Sequence, residues 1–217
     1  MKDYAVARSR MVDEQLVASG VDDPAVLKVM REVPRHRFVP RLLNHRAYSG
    51  CALPIGYEQT ISQPFVVGLM TTLLELSGDE HVLEVGTGSG YQAAVLSRLA
   101  KTVVSVERVA PLARKAASAL AEFGGHNVEV LTADGGTGIP QRGPYDAMVV
   151  TACATKVPSL LLFQLREGGR MVLPIGEGEE QRLYRYRKID GRAVVERSVS
   201  CRFVPMLSGV TEEEDDA

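Results

Sequence analysis

The stretch VLEVGTGSGY, residues 82–91, contains the strongest local signal in this sequence. An apolar run typical of a β-strand leads directly into three glycines, Gly86, Gly88 and Gly90, and a helix-like run follows. Glycines let the backbone adopt positive φ angles and pass close to a ligand, so the pattern predicts a binding loop at the end of a strand. The spacing is G-x-G-x-G. It differs from the G-x-G-x-x-G of dinucleotide sites, and no Gly-Lys-Ser/Thr follows to indicate a P-loop.

The segments on either side of this loop alternate between apolar strand-like runs and helix-like runs. Nearly continuous apolar runs are typical of parallel strands that are buried on both faces. The sequence therefore predicts an α/β fold with a doubly wound, mostly parallel sheet, N-terminal helices and antiparallel C-terminal strands. The predicted strands are HVLEV (81–85), TVVSVE (102–107), VEVLTAD (128–134), YDAMVVTA (145–152), GRMVLPIG (169–176), QRLYRYRKI (181–189) and AVVERSVSCRFVPM (193–206), and the predicted helices between them are GYQAAVLSRLA (90–100), VAPLARKAASALAEF (109–123) and VPSLLLFQL (157–165).

Acidic residues lie in or at the ends of the first three of these strands. Glu84 precedes the first glycine by two positions, where a carboxylate would repel a pyrophosphate but attract an ammonium group. Glu107 ends the second strand, at about the 20-residue interval at which an acid accepts from ribose hydroxyls. Asp134, beside Gly135, can accept from an exocyclic amine such as that of adenine. Together they predict a phosphate-free adenosine with a cationic amino-acid part, which describes S-adenosylmethionine.

The predicted cofactor-binding set combines these acids with the loop residues. It consists of Glu84, Gly86, Thr87, Gly88, Ser89, Glu107, Asp134 and Gly135.

The first third of the chain predicts helices followed by an irregular segment. Apolar residues at helical spacing predict a helix over residues 4–19 that stops at Gly20. Asp22, Asp23 and Pro24 predict the start of a second helix, with an acidic cap and a proline in the first turn. Residues 34–62, rich in proline, glycine and polar groups, predict a long irregular segment, and such segments in compact domains are usually functional.

The composition predicts one globular domain over residues 1–217. Hydrophobic residues make up 45% and charged residues 24%, which is typical of a packed core. We expect a helical, substrate-side segment over residues 1–76, a cofactor-binding core over 77–207 and an acidic, solvated tail over 208–217.

The same composition bears on partners and location. The net charge of −2 does not indicate a nucleic-acid binder, and no apolar run reaches the roughly 18 residues of a membrane span. The three cysteines, Cys51, Cys153 and Cys201, have no zinc-site spacing, and an odd number in a cytoplasmic chain argues for buried thiols. We therefore expect a cytoplasmic protein that binds neither membranes nor a metal ion.

The residues near the expected acceptor site indicate the type of methyl transfer. Many N-methyltransferases carry Asn/Asp-Pro-Pro-Tyr after the fourth strand, but residues 151–158 read TACATKVP. No acids cluster to hold the metal of a catechol-type enzyme, and residues 52–64 contain no His or Lys that could act as a general base. A carboxylate acceptor needs no base, because it is already ionised at neutral pH. The sequence therefore favours a carboxyl methyltransferase whose pocket orients and desolvates the acceptor.

Seven stretches, in order, closely resemble the protein-L-isoaspartate (D-aspartate) O-methyltransferase family. The glycine motif alone would mark any class I methyltransferase, whereas the TISQP and RFVP blocks are much more specific. The resemblance extends over roughly residues 5 to 208. It is carried by LPIGYEQTISQP (53–64), VLEVGTGSGYQAAVLSRL (82–99), VSVER (104–108), TADG (132–135), YDAMVVTACA (145–154), QLREGGRMVLPIG (164–176) and RFVPM (202–206).

The resemblance implies a fold, a reaction and a partner. The fold is the Rossmann-like sheet of class I SAM-dependent methyltransferases, with an altered order of the last strands. The reaction is methylation of the α-carboxyl of L-isoaspartyl and D-aspartyl residues in aged proteins. The ester then collapses to a succinimide, which reopens partly to normal aspartate. The partners are isoaspartyl-containing peptides and proteins, and the family is generally cytosolic and often monomeric.

The resemblance also assigns roles to residues on the substrate side. It makes Ser62 the active-site serine, which we interpret as a hydrogen-bond donor to the acceptor carboxylate rather than a nucleophile. The competing interpretation is a helix cap, because Pro64 favours a first helical turn that Ser62 or Gln63 could cap. Gln59 and Thr60 are expected to line the same cleft.

Further along the chain, Val204 and Pro205 match a segment whose backbone grips the peptide in this family. The alternative for them is a plain terminal strand. Thr151 could be structural or could line the cofactor site, and no cofactor role is carried past residue 207.

Two other functions stay open at this point. A related carboxyl methyltransferase that acts on an aspartate of a dedicated biosynthetic peptide would keep the same fold and cofactor site. A cofactor-binding module without catalysis would require the loss of Ser62 or Glu107, and both are present.

Overall fold

The computed structural model describes residues 4–212, and within them strands and helices alternate as predicted. No helix in that range is both long enough and apolar enough to cross a membrane. The α-helices are α1 (Ala5–Met11), α2 (Pro24–Glu32), α3 (Pro64–Leu73), α4 (Tyr91–Leu96), α5 (Ala110–Phe123) and α6 (Ser159–Gln164). The strands are β1 (Leu53–Gly56), β2 (Gln59–Ile61), β3 (His81–Val85), β4 (Thr102–Glu107), β5 (Val128–Thr132), β6 (Tyr145–Val150), β7 (Leu165–Glu177), β8 (Glu180–Ile189) and β9 (Arg192–Ser200).

The main sheet has seven strands in the order β5-β4-β3-β6-β7-β8-β9. Strands β5, β4, β3, β6 and β7 run parallel to their neighbours, and β8 and β9 are added antiparallel. The chain runs from β3 outward to β5 on one side and then returns to β6 on the other side. Ligands in such sheets bind in the crevice at this reversal point, at the carboxyl ends of the strands.

The central strands are apolar on both faces because helices cover both faces. Successive side chains of a strand point to opposite sides, and the core divides accordingly. Val82 on β3 packs in the cluster that contains α3 and α4 residues such as Met70 and Leu96. Its neighbour Leu83 packs in the opposite cluster, with Leu161 of α6. This confirms the predicted doubly wound sheet.

The N-terminal region follows the helix signals closely. The predicted helix over residues 4–19 is observed as α1, a π-helical turn over Val12–Leu16 and a 3-10 turn over Val17–Ser19. Gly20 ends it with φ of 90°, a conformation that glycine adopts without a steric penalty. Asp23 caps α2, since its side chain accepts hydrogen bonds from the backbone N–H groups of the second and third residues that follow.

The segment predicted as irregular, residues 34–62, contains more structure than expected. It includes 3-10 turns over Arg35–Phe38 and Arg41–Arg46 and the antiparallel hairpin of β1 and β2. The hairpin was missed because its turn is formed by Tyr57 and Glu58, with φ of 54° and 55°. Two-residue hairpin turns with positive φ angles usually contain Asn-Gly or Asp-Gly, which makes them recognisable in a sequence.

The C-terminal region departs from the prediction in two ways. The last strand was predicted to reach residue 206, but β9 ends at Ser200. From there the chain leaves the sheet, because Gln181 on β8 binds both the N–H and the C=O of Phe203. The tail was predicted to begin at residue 208, but Thr211 pairs with Arg108 and Ala110 through backbone hydrogen bonds. Residues 213–217, most of the predicted acidic end, lie outside the described residues.

One carboxyl group lies in the centre of the sheet. Glu84 on β3 is fully buried, and its Oε2 accepts a hydrogen bond from the hydroxyl of Ser105 on β4. Its Oε1 has no partner among the described residues. Burial raises the pKa of Glu84 to about 8, against the lowering effect of the Ser105 hydrogen bond and with a smaller raising effect from Glu107. The group is therefore largely protonated in the folded protein at neutral pH.

The cap of α2 yields a first prediction. Asp23→Ala removes both capping hydrogen bonds and should lower the free energy of unfolding by about 1 kcal/mol. The matched control is Asp22→Ala, because Asp22 is exposed and caps nothing, so its effect should stay within about 0.5 kcal/mol. Urea denaturation followed by circular dichroism measures both. Equal effects of the two substitutions would contradict the capping role.

The buried Glu84 yields a prediction about pH. Its pKa is higher in the folded state than in the unfolded chain, so the folded state binds more protons between pH 5 and 8, and stability is lost as pH rises through that window. Relative to Glu84→Gln, the wild-type free energy of unfolding should fall by up to about 1.4 kcal/mol per pH unit. Urea denaturation at several pH values measures this slope. A wild-type-to-variant difference that stays constant from pH 5 to 8 would show that Glu84 does not titrate there.

Candidate functional site

A cleft lies at the reversal point of the sheet, where β3, β4 and β6 end. Residues from these strand ends form its floor, and residues from β2, from the segment between β2 and α3, and from the C-terminal segment close its sides. Of the predicted cofactor residues, six line this cleft, namely Gly86, Thr87, Gly88, Ser89, Glu107 and Gly135. Tertiary structure thus brings together residues that are up to about fifty positions apart in sequence.

The backbone conformation of the loop over residues 86–90 requires glycine at three positions. Gly86, Gly88 and Gly90 have φ of 94°, 51° and 84°, in the left-handed region that side chains other than hydrogen disfavour. A Cβ at Gly86 would also lie 2.3 Å from the Thr151 hydroxyl oxygen, which itself donates to the Gly86 carbonyl at 2.7 Å. A Cβ at Gly135 would lie 2.3 Å from Val85. Positive φ angles and close packing against Thr151 and Val85 therefore require glycine at these positions.

Glu107 is held rigidly at the end of β4. Its Oε2 accepts from the Gly88 N–H at 2.8 Å and its Oε1 from the Val109 N–H at 3.0 Å. The side chain is only 5% exposed, yet it lines the cleft. Each carboxylate oxygen has a second acceptor position, so the two can accept two neighbouring hydroxyl groups without moving.

Two predicted acids do not line the cleft. Glu84 lies beneath the glycine loop, bonded to Ser105. Asp134 lies at the rim, where its Oδ1 accepts from the Gly136 N–H at 2.8 Å and its Oδ2 from the Gly209 N–H at 2.7 Å. Direct contacts of these two acids with an ammonium group and with adenine stay predictions.

The C-terminal segment contributes to the cleft, although no cofactor role is expected beyond residue 207. Leu207 lines the cleft, and Gly209 contacts Asp134. Arg108 fixes the segment by donating to the Gly209 carbonyl at 3.1 Å and to the Thr211 hydroxyl at 2.8 Å. No sequence pattern indicates these contacts, because a short segment without a motif does not reveal which strand ends it crosses.

A second cavity of about 740 Å³ adjoins the first. Much of its wall is apolar, with Phe65, Val66 and Leu69 on one side and Leu183 and Phe203 on the other. Five residues line both cavities and so form the boundary between them, namely Thr60, Ser62, Thr151, Val204 and Pro205. Four of these are predicted substrate or catalytic residues, and the sequence is consistent with either a structural or a cofactor-site role for Thr151. Gln59 lines the first cavity only.

Ser62 does not cap α3. The N-cap position belongs to Gln63, and no side chain makes a capping hydrogen bond there. Within residues 4–212 the Ser62 hydroxyl has no hydrogen-bond partner, while the Ser62 carbonyl accepts from Arg35 Nη2 at 2.6 Å. The capping interpretation is therefore wrong, and the hydroxyl is available at the boundary of the two cavities.

Val204 and Pro205 do not belong to a plain terminal strand. The Val204 carbonyl accepts from the Cys153 N–H, and the Met206 N–H donates to the Cys153 carbonyl, each at 2.8 Å. Among the described residues, the Val204 N–H and the Pro205 carbonyl have no partner. One side of this short segment is thus bound to the core, and the other presents backbone groups to the cavities.

Sequence reasoning missed two residues that position this boundary. Arg35 binds the Ser62 carbonyl from the N-terminal region, and Gln181 binds the backbone of Phe203 from β8. Arg35 lies in the PRHRFVP stretch, where a solvated surface is the simplest interpretation of several basic residues. No sequence pattern indicates that one of them is fully buried.

Comparisons with known proteins agree with this geometry. The family model described as protein-L-isoaspartate(D-aspartate) O-methyltransferase matches residues 7–211. A protein-L-isoaspartate O-methyltransferase of Trichlorobacter lovleyi is 49% identical over 208 residues, covering 95% of this chain and 96% of the relative. One of Geobacter metallireducens is 49% identical over 205 residues, covering 94% and 95%.

Solved structures show the same fold over nearly the whole chain. A protein-L-isoaspartate O-methyltransferase structure, 30% identical, superposes with a TM-score of 0.82 and covers 94% of this chain and 67% of its own. A Plasmodium falciparum protein described as a putative member, in complex with S-adenosyl-L-homocysteine, reaches 0.81 at 23% identity and covers 92% of this chain and 98% of its own. This second likeness concerns the fold alone. From the family model, the close relatives and the shared class I methyltransferase fold, the chain belongs to the protein-L-isoaspartate(D-aspartate) O-methyltransferase family.

Proposed function

We propose that the protein transfers the methyl group of S-adenosylmethionine to the α-carboxyl of L-isoaspartyl and D-aspartyl residues in damaged proteins, which starts their repair. The observation that carries the proposal is the position of Ser62. Its unpartnered hydroxyl lies on the boundary between the cleft with the glycine loop and the larger, partly apolar cavity. A donor and an acceptor bound in the two cavities would meet there.

The first cavity suits the cofactor. Gly86, Gly88 and Gly135 line it without side chains, so their backbone is open to a ligand, and Glu107 presents two acceptor oxygens for ribose hydroxyls. When bound, S-adenosylmethionine supplies a methyl group on a positively charged sulfur. We assign Thr87 and Ser89 to the same site because they line the cleft between the glycines.

The second cavity suits a peptide carboxylate. The Ser62 hydroxyl donates a hydrogen bond that orients the carboxylate, and no base is needed because the acceptor is already ionised. The apolar residues around it exclude water, which favours a reaction in which opposite charges are neutralised. Holding the reacting atoms in line is then the main contribution of the protein.

The peptide backbone has partners in the same place. The Val204 N–H and the Pro205 carbonyl can pair with an extended peptide, in the manner of strand addition. Gln59 and Thr60 offer side-chain hydrogen bonds from the opposite wall. A cavity of about 740 Å³ is within the usual range of ligand sites. A normal aspartyl residue would place its carboxyl group at a different distance from the backbone, which these contacts would not tolerate.

We further propose a single domain whose substrate side lies before residue 77 and whose cofactor core follows it. It would work as a monomer in the cytoplasm on isoaspartyl peptides and proteins, without a nucleic-acid or membrane partner. The near-neutral net charge and the free thiols of the three cysteines support this part of the proposal.

A prediction for the cofactor site concerns Glu107. Glu107→Gln replaces one acceptor oxygen by an NH₂ group that would face the backbone donors of Gly88 or Val109. Calorimetry should show S-adenosylhomocysteine binding at least about tenfold more weakly. Glu122→Gln, on the exposed side of α5, is the matched control and should bind as the wild type does. Unchanged affinity in Glu107→Gln would remove Glu107 from the site.

A prediction for the reaction concerns the acceptor and Ser62. The protein should incorporate labelled methyl into an isoaspartyl peptide and not into its normal aspartyl twin. Labelling of both peptides, or of neither, would overturn the proposed function. Activity only on an aspartate of a particular peptide would favour the biosynthetic alternative.

In the same assay, Ser62→Ala should lower kcat/KM by about ten- to a hundredfold, the effect of one lost hydrogen bond to a charged group. The affinity for S-adenosylhomocysteine and the melting temperature should stay close to wild type, because the hydroxyl has no hydrogen-bond partner within residues 4–212. Ser159→Ala, at an exposed position on α6, should have no effect on any of these quantities. If Ser62→Ala weakens cofactor binding more than turnover, the role proposed for Ser62 is wrong.

A further inference from the structure

Arg35 is a buried cation without a carboxylate partner. Its side chain is fully buried, and no ion pair to it occurs within residues 4–212. The titratable groups around its guanidinium are the phenols of Tyr91 and Tyr48 and the thiol of Cys51, and burial raises the pKa of both phenols, which keeps them neutral. An unpaired buried charge is costly, so such residues are rare unless something compensates the charge.

The guanidinium is directed at the acceptor site. Its Nη2 donates to the Ser62 carbonyl at 2.6 Å, and its Nε donates to the Ala47 carbonyl at 2.8 Å. Its plane lies over the ring of Tyr91, with 4.8 Å between the guanidinium carbon and the ring centroid. Tyr91 itself lines the cofactor cleft. Arg35 therefore lies directly behind Ser62, next to the boundary between the two cavities. Its Nη1 has no hydrogen-bond partner among the described residues.

We propose that Arg35 is a positioning residue for methyl transfer, which holds the Ser62 backbone and supplies the positive field that makes the acceptor pocket select a carboxylate over a neutral amide. The inference rests on the proposed function, because it takes the acceptor to be a carboxylate bonded to Ser62. A carboxylate at the Ser62 hydroxyl lies within roughly 10 Å of the guanidinium, if ordinary hydrogen-bond lengths are added through the serine. In a site shielded from water, attraction over such a distance is substantial.

The field should act on binding more than on the chemical step. In the reaction a carboxylate oxygen forms a bond to the methyl carbon while the carbon–sulfur bond breaks and its electron pair stays on sulfur. The carboxylate loses its negative charge in this step, so a nearby cation stabilises the bound substrate more than the transition state. Loss of the Arg35 charge should therefore raise KM for the peptide with a smaller change in kcat.

The test compares two peptides that differ in one group. One is an isoaspartyl peptide with its free α-carboxylate, and the other carries an α-carboxamide at the same position. Calorimetry measures the affinity of each for the protein loaded with S-adenosylhomocysteine. We expect the wild type to bind the carboxylate peptide about tenfold more tightly than the carboxamide peptide.

Three variants distinguish an effect of the Arg35 charge from an effect of its structural contacts. Arg35→Gln, which can still donate hydrogen bonds but is neutral, should lose most of the preference for the carboxylate. Arg35→Lys, which keeps the charge, should retain most of it. Arg37→Gln removes an exposed charge from the same 3-10 turn and should leave the preference unchanged. S-adenosylhomocysteine binding and melting curves establish that each variant is folded.

The outcomes are distinct. A purely structural role of Arg35 would weaken the binding of both peptides equally, so an unchanged preference in folded Arg35→Gln would overturn the inference. If Arg35→Gln does not fold, the wild-type protein alone still tests the inference. Equal affinity of the wild type for the two peptides would show that no positive field selects the carboxylate. Methyl transfer to the isoaspartyl peptide by the wild type tests the proposed function separately, so it can hold while the inference on Arg35 fails.

Discussion

The parallel pairing of β3 with both β4 and β6 determines where most groups of the proposed cofactor site lie. It puts the carboxyl ends of three strands at one edge of the sheet, and the chain reversal between β5 and β6 leaves a crevice there. Thr151 at the end of β6 donates to the Gly86 carbonyl, and Glu107 at the end of β4 accepts from the Gly88 N–H. The glycine loop is thus held from both neighbouring strands, and a rigid backbone can present its groups to a ligand without rearrangement.

The acceptor side depends on contacts between parts of the chain that are far apart. The segment before α3 supplies Ser62, and the segment after β9 supplies Val204 and Pro205. Neither segment is positioned by regular secondary structure. Arg35 binds the first, while Gln181 and the backbone of Cys153 bind the second. These directional hydrogen bonds take the place of the strand pairing that positions the glycine loop, and they hold both segments at the same boundary.

Sequence patterns predicted the main sheet well because its signals are local and repeated. Strands β3, β4 and β6 begin where expected, since each is a continuous apolar run that only a sheet covered on both faces can bury. The hairpin of β1 and β2 was not predicted, because Tyr57 and Glu58 occupy turn positions that usually carry Asn and Gly. The end of β9 was predicted too late because RFVPM has a strand-like composition. The long-range hydrogen bonds of Gln181 to Phe203 direct this segment away from the sheet.

By itself, the sequence determined the fold class, the glycine loop with its cofactor class, and the family to which the chain belongs. These three properties depend on residue types at short, fixed spacings, which can be recognised directly in the sequence. Only the tertiary structure decided that Ser62 is no helix cap, that Glu84 is fully buried, that Leu207 lines the cleft, and that Arg35 is a buried cation bonded to the Ser62 carbonyl. Each of these depends on burial and on partners distant in sequence, and neither quantity is encoded in local spacing.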